Sequence, residues 1–551
     1  MVWRPGHHSF ILLLFVSGLI LAGLPTPAHS QENSSPPPSN TTPVTVDQLA
    51  DRLRAMEEAN KKLDEKLKQT SLEYDQRIRQ MLDRMGSTTV SPAGAPTDPG
   101  GNSSTPGPER TGQKTPVPDY TENLFTPFNP PSGFYDPDSE RNQRPALRGI
   151  FGPGFQLRSD DGEYSLRIHI QSQVESRVWG RSDQDPVTDG IYLPRQRIFF
   201  NGNVTRYIEY VWSINRGLGD LGLLDTYINF HFDDRFQFRI GRFWTPLCYD
   251  QFAFPNLWLL TPERSLFTAN LSLNRQVGAM GWGFLFDERL DYAVGIFNGP
   301  RNSFEDFNNA KDFVGYVNVR PFQQVESLPL LRFLNLGTSL GVGQQDQLTT
   351  PLAMRIGAGA ANSDQNARAA VPFLEFYPDV FEQGNRVLGS VHMAYFYKSL
   401  SLMGEWQYGH KHYRRMIPES RPVNVPVSGY YVAAGYFLTG EEMTKRALVE
   451  PLRPFFPRQK GGSFGPGAWE FVARVSNLTL GEQVFSGGLA DPNLWANSAI
   501  TTELGFNWYM NEFMKVYTFW LHGNFDDPVR YRPGGLQKGT DMFWLRAQMY
   551  F

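Results

Sequence analysis

Between residues 164 and 178 hydrophobic and polar side chains alternate almost without a break. Leu166, Ile168, Ile170, Val174 and Val178 fall on one face of an extended chain, and Arg167, His169, Gln171, Gln173, Glu175 and Arg177 on the other. Strands of globular proteins usually run to about five or six residues, so this one is long. In the next segment Ile198, Phe200 and Val204 oppose Arg195, Arg197, Asn201 and Asn203, and the alternation recurs in 208–214, 224–232, 236–240, 290–296, 336–342 and 387–397. The connections alternate in length. Short polar turns stand at Thr205-Arg206, Asp233-Asp234-Arg235, Asp287-Glu288-Arg289, Lys398-Ser399 and Asn511-Glu512. Long stretches lie between them at 179–190, 246–275, 299–312, 345–385, 413–427, 479–499 and 526–540. Short turns on one rim and long loops on the other are the arrangement of an outer-membrane barrel. The pattern predicts an all-β fold, a sixteen-stranded antiparallel transmembrane β-barrel over residues 146–551, with both barrel ends on the short-turn rim. One connection, 439–467, is long yet falls on that rim.

A different period governs the N-terminal part. Val46, Leu49, Leu53, Met56, Asn60, Leu63 and Leu67 are spaced alternately three and four apart, the narrow seam of a coiled coil. Thr70 and Tyr74 continue it weakly, and Ile78, Met81 and Met85 resume it after a four-residue shift. The charged remainder of this helix leaves too narrow a stripe for packing on its own chain, so residues 46–85 are expected to oligomerise. Residues 1–30 read as an export signal: weakly basic Arg4, the apolar run Phe10–Leu24, and small residues at Ala28-His29-Ser30. Residues 31–45 are expected to be disordered, and 86–145, rich in Pro, Gly and Ser, to form a linker.

Composition sharpens this reading. The mean hydropathy is −0.40 and no apolar run reaches the ~20 residues a helical span needs, so a polytopic helical membrane protein is excluded. A barrel gives only alternate residues to lipid, so a low mean hydropathy is what it should show. The net charge of −4 gives no argument for nucleic acid. Residues 141–551 carry 40 basic and 39 acidic side chains, and seven of the 40 are lysines. Arginine offers a planar fork of donors that suits bidentate anion contacts, although codon usage produces the same bias. The single cysteine, Cys248, excludes a disulfide framework and is expected to be a buried apolar residue.

The chain ends Phe543-Trp544-Leu545-Arg546-Ala547-Gln548-Met549-Tyr550-Phe551, with alternate residues on one face and an aromatic terminus. That ending resembles the last strand of bacterial outer-membrane proteins, which the barrel-assembly machinery reads through the terminal residue, here Phe551. Six further segments, in order, carry a fuller resemblance: Gly241-Arg242-Phe243-Trp244-Thr245-Pro246; Pro262-Glu263-Arg264-Ser265-Leu266; Asn274-Arg275-Gln276-Val277-Gly278; the stretch from Gly429 to Glu441; Ala468-Trp469-Glu470-Phe471-Val472-Ala473-Arg474; and Gly505-Phe506-Asn507-Trp508-Tyr509. Through them the region from about 150 to 551 resembles the phosphate-selective porin O and P family. The resemblance implies a sixteen-stranded homotrimeric porin whose third loop, here about 246–275, folds into the lumen. It also implies that the heptads would trimerise in the periplasm beneath the barrel.

A passive pore needs side chains that replace part of a solute's hydration without holding it. By alternation and loop position the pore-lining, anion-binding candidates are Arg167, Arg177, Arg195, Arg197, Arg239, Arg264, Arg275, Arg474 and Arg546, with Arg320 beside them. Each is also a candidate for a bracing ion pair with Glu175, Glu209, Asp225, Glu405 or Glu470. Because residues 241–280 hold no lysine and the barrel is nearly neutral, at most a mild anion or phosphate preference is expected. The basic run from His410 to Arg415 is read as a strand end entering a loop that could meet lipopolysaccharide phosphates. Two other function classes compete with the porin. An outer-membrane phospholipase would need a serine beside His169, His231, His392 or His522, and no nucleophile motif accompanies them; a tether to the cell wall would need a wall-binding domain. No cofactor, metal or catalytic residue is expected; the expected partners are outer-membrane lipid, further copies of the chain and small solutes.

Overall fold

The computed structural model describes residues 147–152, 154–180, 187–218, 221–347, 349–358, 369–417, 420–456, 462–531 and 535–551. The export signal, the coiled coil and the linker expected from the sequence lie outside the described residues. The strands are β1 (Leu147–Gly152), β2 (Gly154–Ser159), β3 (Ser165–Trp179), β4 (Gly190–Thr205), β5 (Ile208–Gly217), β6 (Gly222–Asp233), β7 (Phe236–Trp244), β8 (Arg275–Leu285), β9 (Leu290–Phe297) and β10 (Asp312–Val319). They continue as β11 (Phe333–Asp346), β12 (Met354–Ile356), β13 (Val371–Leu374), β14 (Val380–Tyr397), β15 (Leu400–Arg415), β16 (Val423–Phe437), β17 (Ala468–Leu480), β18 (Ser498–Tyr509), β19 (Met514–Tyr531) and β20 (Gly535–Tyr550).

Sixteen of these, β3–β11 and β14–β20, form a closed antiparallel barrel. Each pairs with its neighbour in the chain, and β20 returns to β3 along a seam from Met542 opposite Trp179 to Tyr550 opposite Gln171. Closure satisfies every wall strand on both edges, which a membrane requires because lipid offers no hydrogen bonds. The wall is inverted relative to a soluble protein. On β3, Val174 and Val178 are 43% and 46% exposed, whereas Gln173, Glu175 and Arg177 are at most 1% exposed. The apolar face meets lipid and the polar face points inward.

Two features differ from the sequence reading. The stretch 526–540 is no long loop: β19 and β20 run on to Tyr531 and Gly535, and Val529 pairs with Gln537 beyond an irregularity that starts after Asn524. The polar Asp526-Asp527-Pro528 that suggested a loop is this break in register. The hairpin β1–β2 was not anticipated, and it extends the wall. Residues 155–158 of β2 pair with 165–168 of β3, on the same edge of β3 that carries β20 further along.

At the short-turn rim Phe286, Asp287 and Glu288 take φ of 56°, 54° and 62°, a run of left-handed residues that reverses the chain. Two connections on that rim, 320–332 and 438–467, are longer than the others.

The interior is filled by chain. The β7–β8 connection, Thr245 to Asn274, carries α1 (Tyr249–Phe252), a 3-10 turn (Asn256–Trp258) and α2 (Leu266–Asn270). Leu247, Phe254, Leu257, Leu260, Phe267 and Leu273 in it are at most 2% exposed. Each such side chain contributes about 1.5–3 kcal/mol toward holding the loop against the wall. Gly241, just ahead of it, has φ +134°, and a Cβ there would stand 2.3 Å from the Thr226 carbonyl oxygen. A glycine therefore lets β7 lie against β6 where the loop departs. Part of the β11–β14 connection, with β12 and β13, is also buried, and so are Met443, Arg446 and Val449 of the 438–467 turn.

Candidate functional site

A buried loop must satisfy its own peptide groups, and here the barrel wall does so. Gln548 donates to the Leu257 carbonyl at 3.0 Å, Lys515 Nζ to Leu259 at 2.8 Å, Asn507 to Leu260 at 2.8 Å and Arg474 to Arg264 at 3.2 Å. Arg446, from the short-turn rim, donates to the Trp258 carbonyl at 3.1 Å. The wall also accepts. The Tyr249 and Asp250 amides donate to the Glu405 carboxylate at 2.7 and 3.2 Å, and the Cys248 and Leu266 amides to the Ser339 and Ser476 hydroxyls at 3.0 and 2.9 Å. Donors and acceptors thus come from β11, β15, β17, β18, β19 and β20, so the loop crosses the lumen.

Its charged fastening is Glu263. Arg195 meets it with two nitrogens, at 2.7 and 2.5 Å, and Arg546 at 2.7 Å. Burial pushes the Glu263 carboxyl up, but the flanking Arg195 and Arg546 more than offset this and hold its pKa at about 2. The other end of the loop is tied to the second infolded segment. Asn270 donates to the Arg355 carbonyl at 3.0 Å and accepts from the Arg355 amide at 2.8 Å.

The nine arginines named from the sequence divide by surroundings. Arg177 is paired with Glu175 at 2.8 Å, Arg275 with Asp225 at 2.8 Å and Arg474 with Glu503 at 2.7 Å. Arg546 joins Glu175 to Glu263, at 2.5 and 2.7 Å. Together with Arg195 these five guanidiniums brace the barrel and its loop. Arg264 lies over Trp244 at 5.2 Å and donates to the Phe254 carbonyl, and burial lowers its pKa to about 10. Arg167 sits on β3 toward the short-turn rim, half-buried. Arg320 is held by Asp291 at 2.5 Å.

Arg197 and Arg239 border open space. Arg197 donates to Asn215 and Asn256 at 3.1 and 3.0 Å and lines a cavity of about 450 Å³, with Asp225, Tyr227, Trp244 and Arg275. Arg239 lines a second cavity of about 820 Å³ toward the short-turn rim. Its guanidinium lies 4.3 Å from the ring of Tyr227, which faces the first cavity, and 4.8 Å from Trp282. The Arg239–Tyr227 stack thus stands between the two spaces.

Several partners escaped the sequence reading. Glu503 stands directly opposite Arg474 in register, and this pairing was legible once β17 and β18 were aligned. Glu470 and Glu405, both among the bracing carboxylates read from the sequence, take unforeseen partners: Arg446 at 2.7 Å and the loop amides. The role of Glu263 depends on where an irregular loop lies, which alternation does not encode. The run His410–Arg415 forms the last six residues of β15, at the strand end as read from the sequence, and alternation splits it. Lys411 turns inward to Glu382 at 3.3 Å, while the rings of His410 and His412 meet at 5.6 Å on the other face. The four histidines weighed for catalysis have structural neighbours: Tyr550 for His169, Glu209 and Asp234 for His231, Tyr249 and Tyr316 for His392, and Asp541 for His522.

Among solved structures the chain is similar to an anion-selective porin from Comamonas acidovorans, at 11% identity and a TM-score of 0.42 over 71% of this chain and 100% of that one. It is also similar to Salmonella typhi OmpF in complex with daunomycin, at 11% identity and a TM-score of 0.43 over 73% and 100%. A third is the trimer form of Vibrio cholerae OmpT, at 11% identity and a TM-score of 0.39 over 71% and 100%. No curated protein sequence matches. Residues 163–550, which hold the whole barrel wall from β3 to β20, match the family model of phosphate-selective porin O and P, so the chain belongs to that family and is a passive outer-membrane channel.

Proposed function

We propose that this porin passes small hydrophilic solutes along the space between its infolded loop and the β4–β8 wall, with a mild preference for anions. The observation that carries the reading is the Arg239–Tyr227 stack, which sets a buried guanidinium between two open cavities. A cation fixed in a low-dielectric wall attracts anions strongly enough to favour them, and its partial engagement by rings keeps it from trapping them. The five arginines in ion pairs contribute little net field, since each sits beside a carboxylate. Phosphate need not be the solute: the barrel region is nearly neutral and residues 241–280 contain no lysine.

The reading extends to assembly. The porin forms a homotrimer in the outer membrane, in contact with lipid and lipopolysaccharide, and the heptads of 46–85 trimerise in the periplasm. Phe551 is its handle for the barrel-assembly machinery. The heptad spacing and the aromatic terminus support these points.

Planar-bilayer recordings test the channel reading. Conductance should appear in threefold steps, and reversal potentials in a potassium chloride gradient should favour chloride. Arg197→Ala and Arg239→Ala should each lower the chloride-to-potassium ratio, whereas Arg195→Ala should act on stability first. An unchanged ratio in both cavity variants would remove these residues from the path.

A further inference from the structure

We propose that the cavity at the short-turn rim binds organic anions with a flat apolar body, aromatic carboxylates above all. The inference rests on the channel reading, because the ligand reaches this space through the lumen. Its walls are unusually rich in rings. Tyr249, Phe252 and Phe254 come from the underside of the loop, and Trp282, Phe284 and Tyr316 from β8 and β10. They stand edge to face: Tyr249 and Phe254 with centroids 5.8 Å apart at 74°, Phe252 and Tyr316 at 5.0 Å and 64°, Trp282 and Phe284 at 5.9 Å and 83°. The same walls carry charge of one sign. Arg239, Arg320, Lys445 and Arg446 line the cavity against one carboxylate, Asp291. Asp291 holds Arg320 at 2.5 Å and Glu470 holds Arg446 at 2.7 Å, so the positive excess of the lining stands on Lys445. Lys445 stands exposed at the mouth.

These two properties select a ligand. A bare oxyanion such as phosphate gains from the cations but loses part of its water against a lining of seven rings whose faces, apart from the tyrosine hydroxyls, return no hydrogen bond. An apolar solute gains from the rings and leaves the cations unanswered. A benzoate-like anion uses both: its ring packs edge to face among the aromatic side chains, and its carboxylate accepts hydrogen bonds from a guanidinium or an ammonium.

The test uses the full chain in planar bilayers carrying chloride current, with sodium benzoate, acetate and phosphate added separately. Benzoate is expected to reduce the current at about a tenth of the concentration needed for acetate or phosphate, the ring being the difference. Trp282→Ala and, at the exposed mouth, Lys445→Gln should each raise the half-blocking benzoate concentration severalfold, while Val294→Ala, on the lipid face, should leave it unchanged. Equal block by benzoate and acetate, or tighter block by phosphate, would overturn the proposal. If no chloride steps appear, the channel reading fails instead, and calorimetric titration of the detergent-solubilised protein decides the site. Saturable benzoate heat that Trp282→Ala abolishes sustains the site, and benzoate heat no greater than that of acetate sinks it.

Discussion

Glu263 is one buried carboxylate between two guanidiniums. Removing its charge leaves Arg195 and Arg546 sharing a buried pocket, although Arg195 keeps Gln173 at 2.9 Å and Arg546 keeps Glu175. Breaking one side of a buried ion pair costs about 3–5 kcal/mol, because the remaining charge stays desolvated. Glu263→Gln should therefore lower the thermal unfolding temperature in detergent and make single-channel current larger and noisier. A variant with wild-type melting and noise would show that apolar packing alone seats the loop. At this scale the sequence was half legible. Alternation says that Arg195 and Arg546 point inward, because the period of a strand is two. It does not say what they meet, because their partner sits on a loop whose course has no period. The Pro262-Glu263-Arg264 motif marked the place without revealing the role.

At the scale of elements, the infolded loop is a rigid body held at several points. Asn270 links α2 to the β12 segment through two hydrogen bonds. Asn270→Ala should cost about 1–3 kcal/mol, chiefly through the unsatisfied peptide groups of Arg355. It should uncouple the two infolded segments, seen as faster hydrogen exchange over 354–356 with little change in the wall strands; unchanged exchange there would mean that other contacts carry the link. Acid should act on the Glu263 fastening. The Glu263 carboxyl is depressed in the folded state to about 2 from its usual 4.5, so its contribution is complete above pH 4.5 and is lost as pH falls through about 2. Emission from the buried Trp244 and Trp258 should stay constant down to about pH 4 and shift below it. A transition centred above pH 5 would place the trigger elsewhere. The elements themselves were largely legible: strand faces, short turns and the long third connection follow from alternation and breaker residues. The break in register at 525–528 was not, because Asp-Asp-Pro inside a strand reads as a loop.

For the whole molecule, near-neutrality of the barrel region has a direct reading. With 40 basic against 39 acidic residues from 141 onward, selectivity must come from a few placed charges and not from a bulk field. Such local preference is screened by salt, with a Debye length of about 10 Å at 0.1 M and about 3 Å at 1 M. The chloride preference should therefore be measurable in 0.1 M potassium chloride and should shrink toward unity at 1 M; a ratio independent of salt would point to size exclusion instead.

The seam between β20 and β3 gives the molecule an order of events. Every other wall pairing joins strands adjacent along the chain, so it can form as soon as its hairpin exists. Tyr550 opposite Gln171 cannot, since nearly the entire barrel lies between them. Bringing such distant ends together costs about 3 kcal/mol more chain entropy than closing a ten-residue turn. The Phe551 amide and carbonyl bond to Ile170, and its ring lies 5.7 Å from that of Phe155 in β2. Phe551 is thus clasped by β3 and β2, and the ring of strands closes only when β20 reaches β3. Without β20 the wall is an open sheet with two bare edges, so closure is won or lost at one pairing that no hairpin can pre-form.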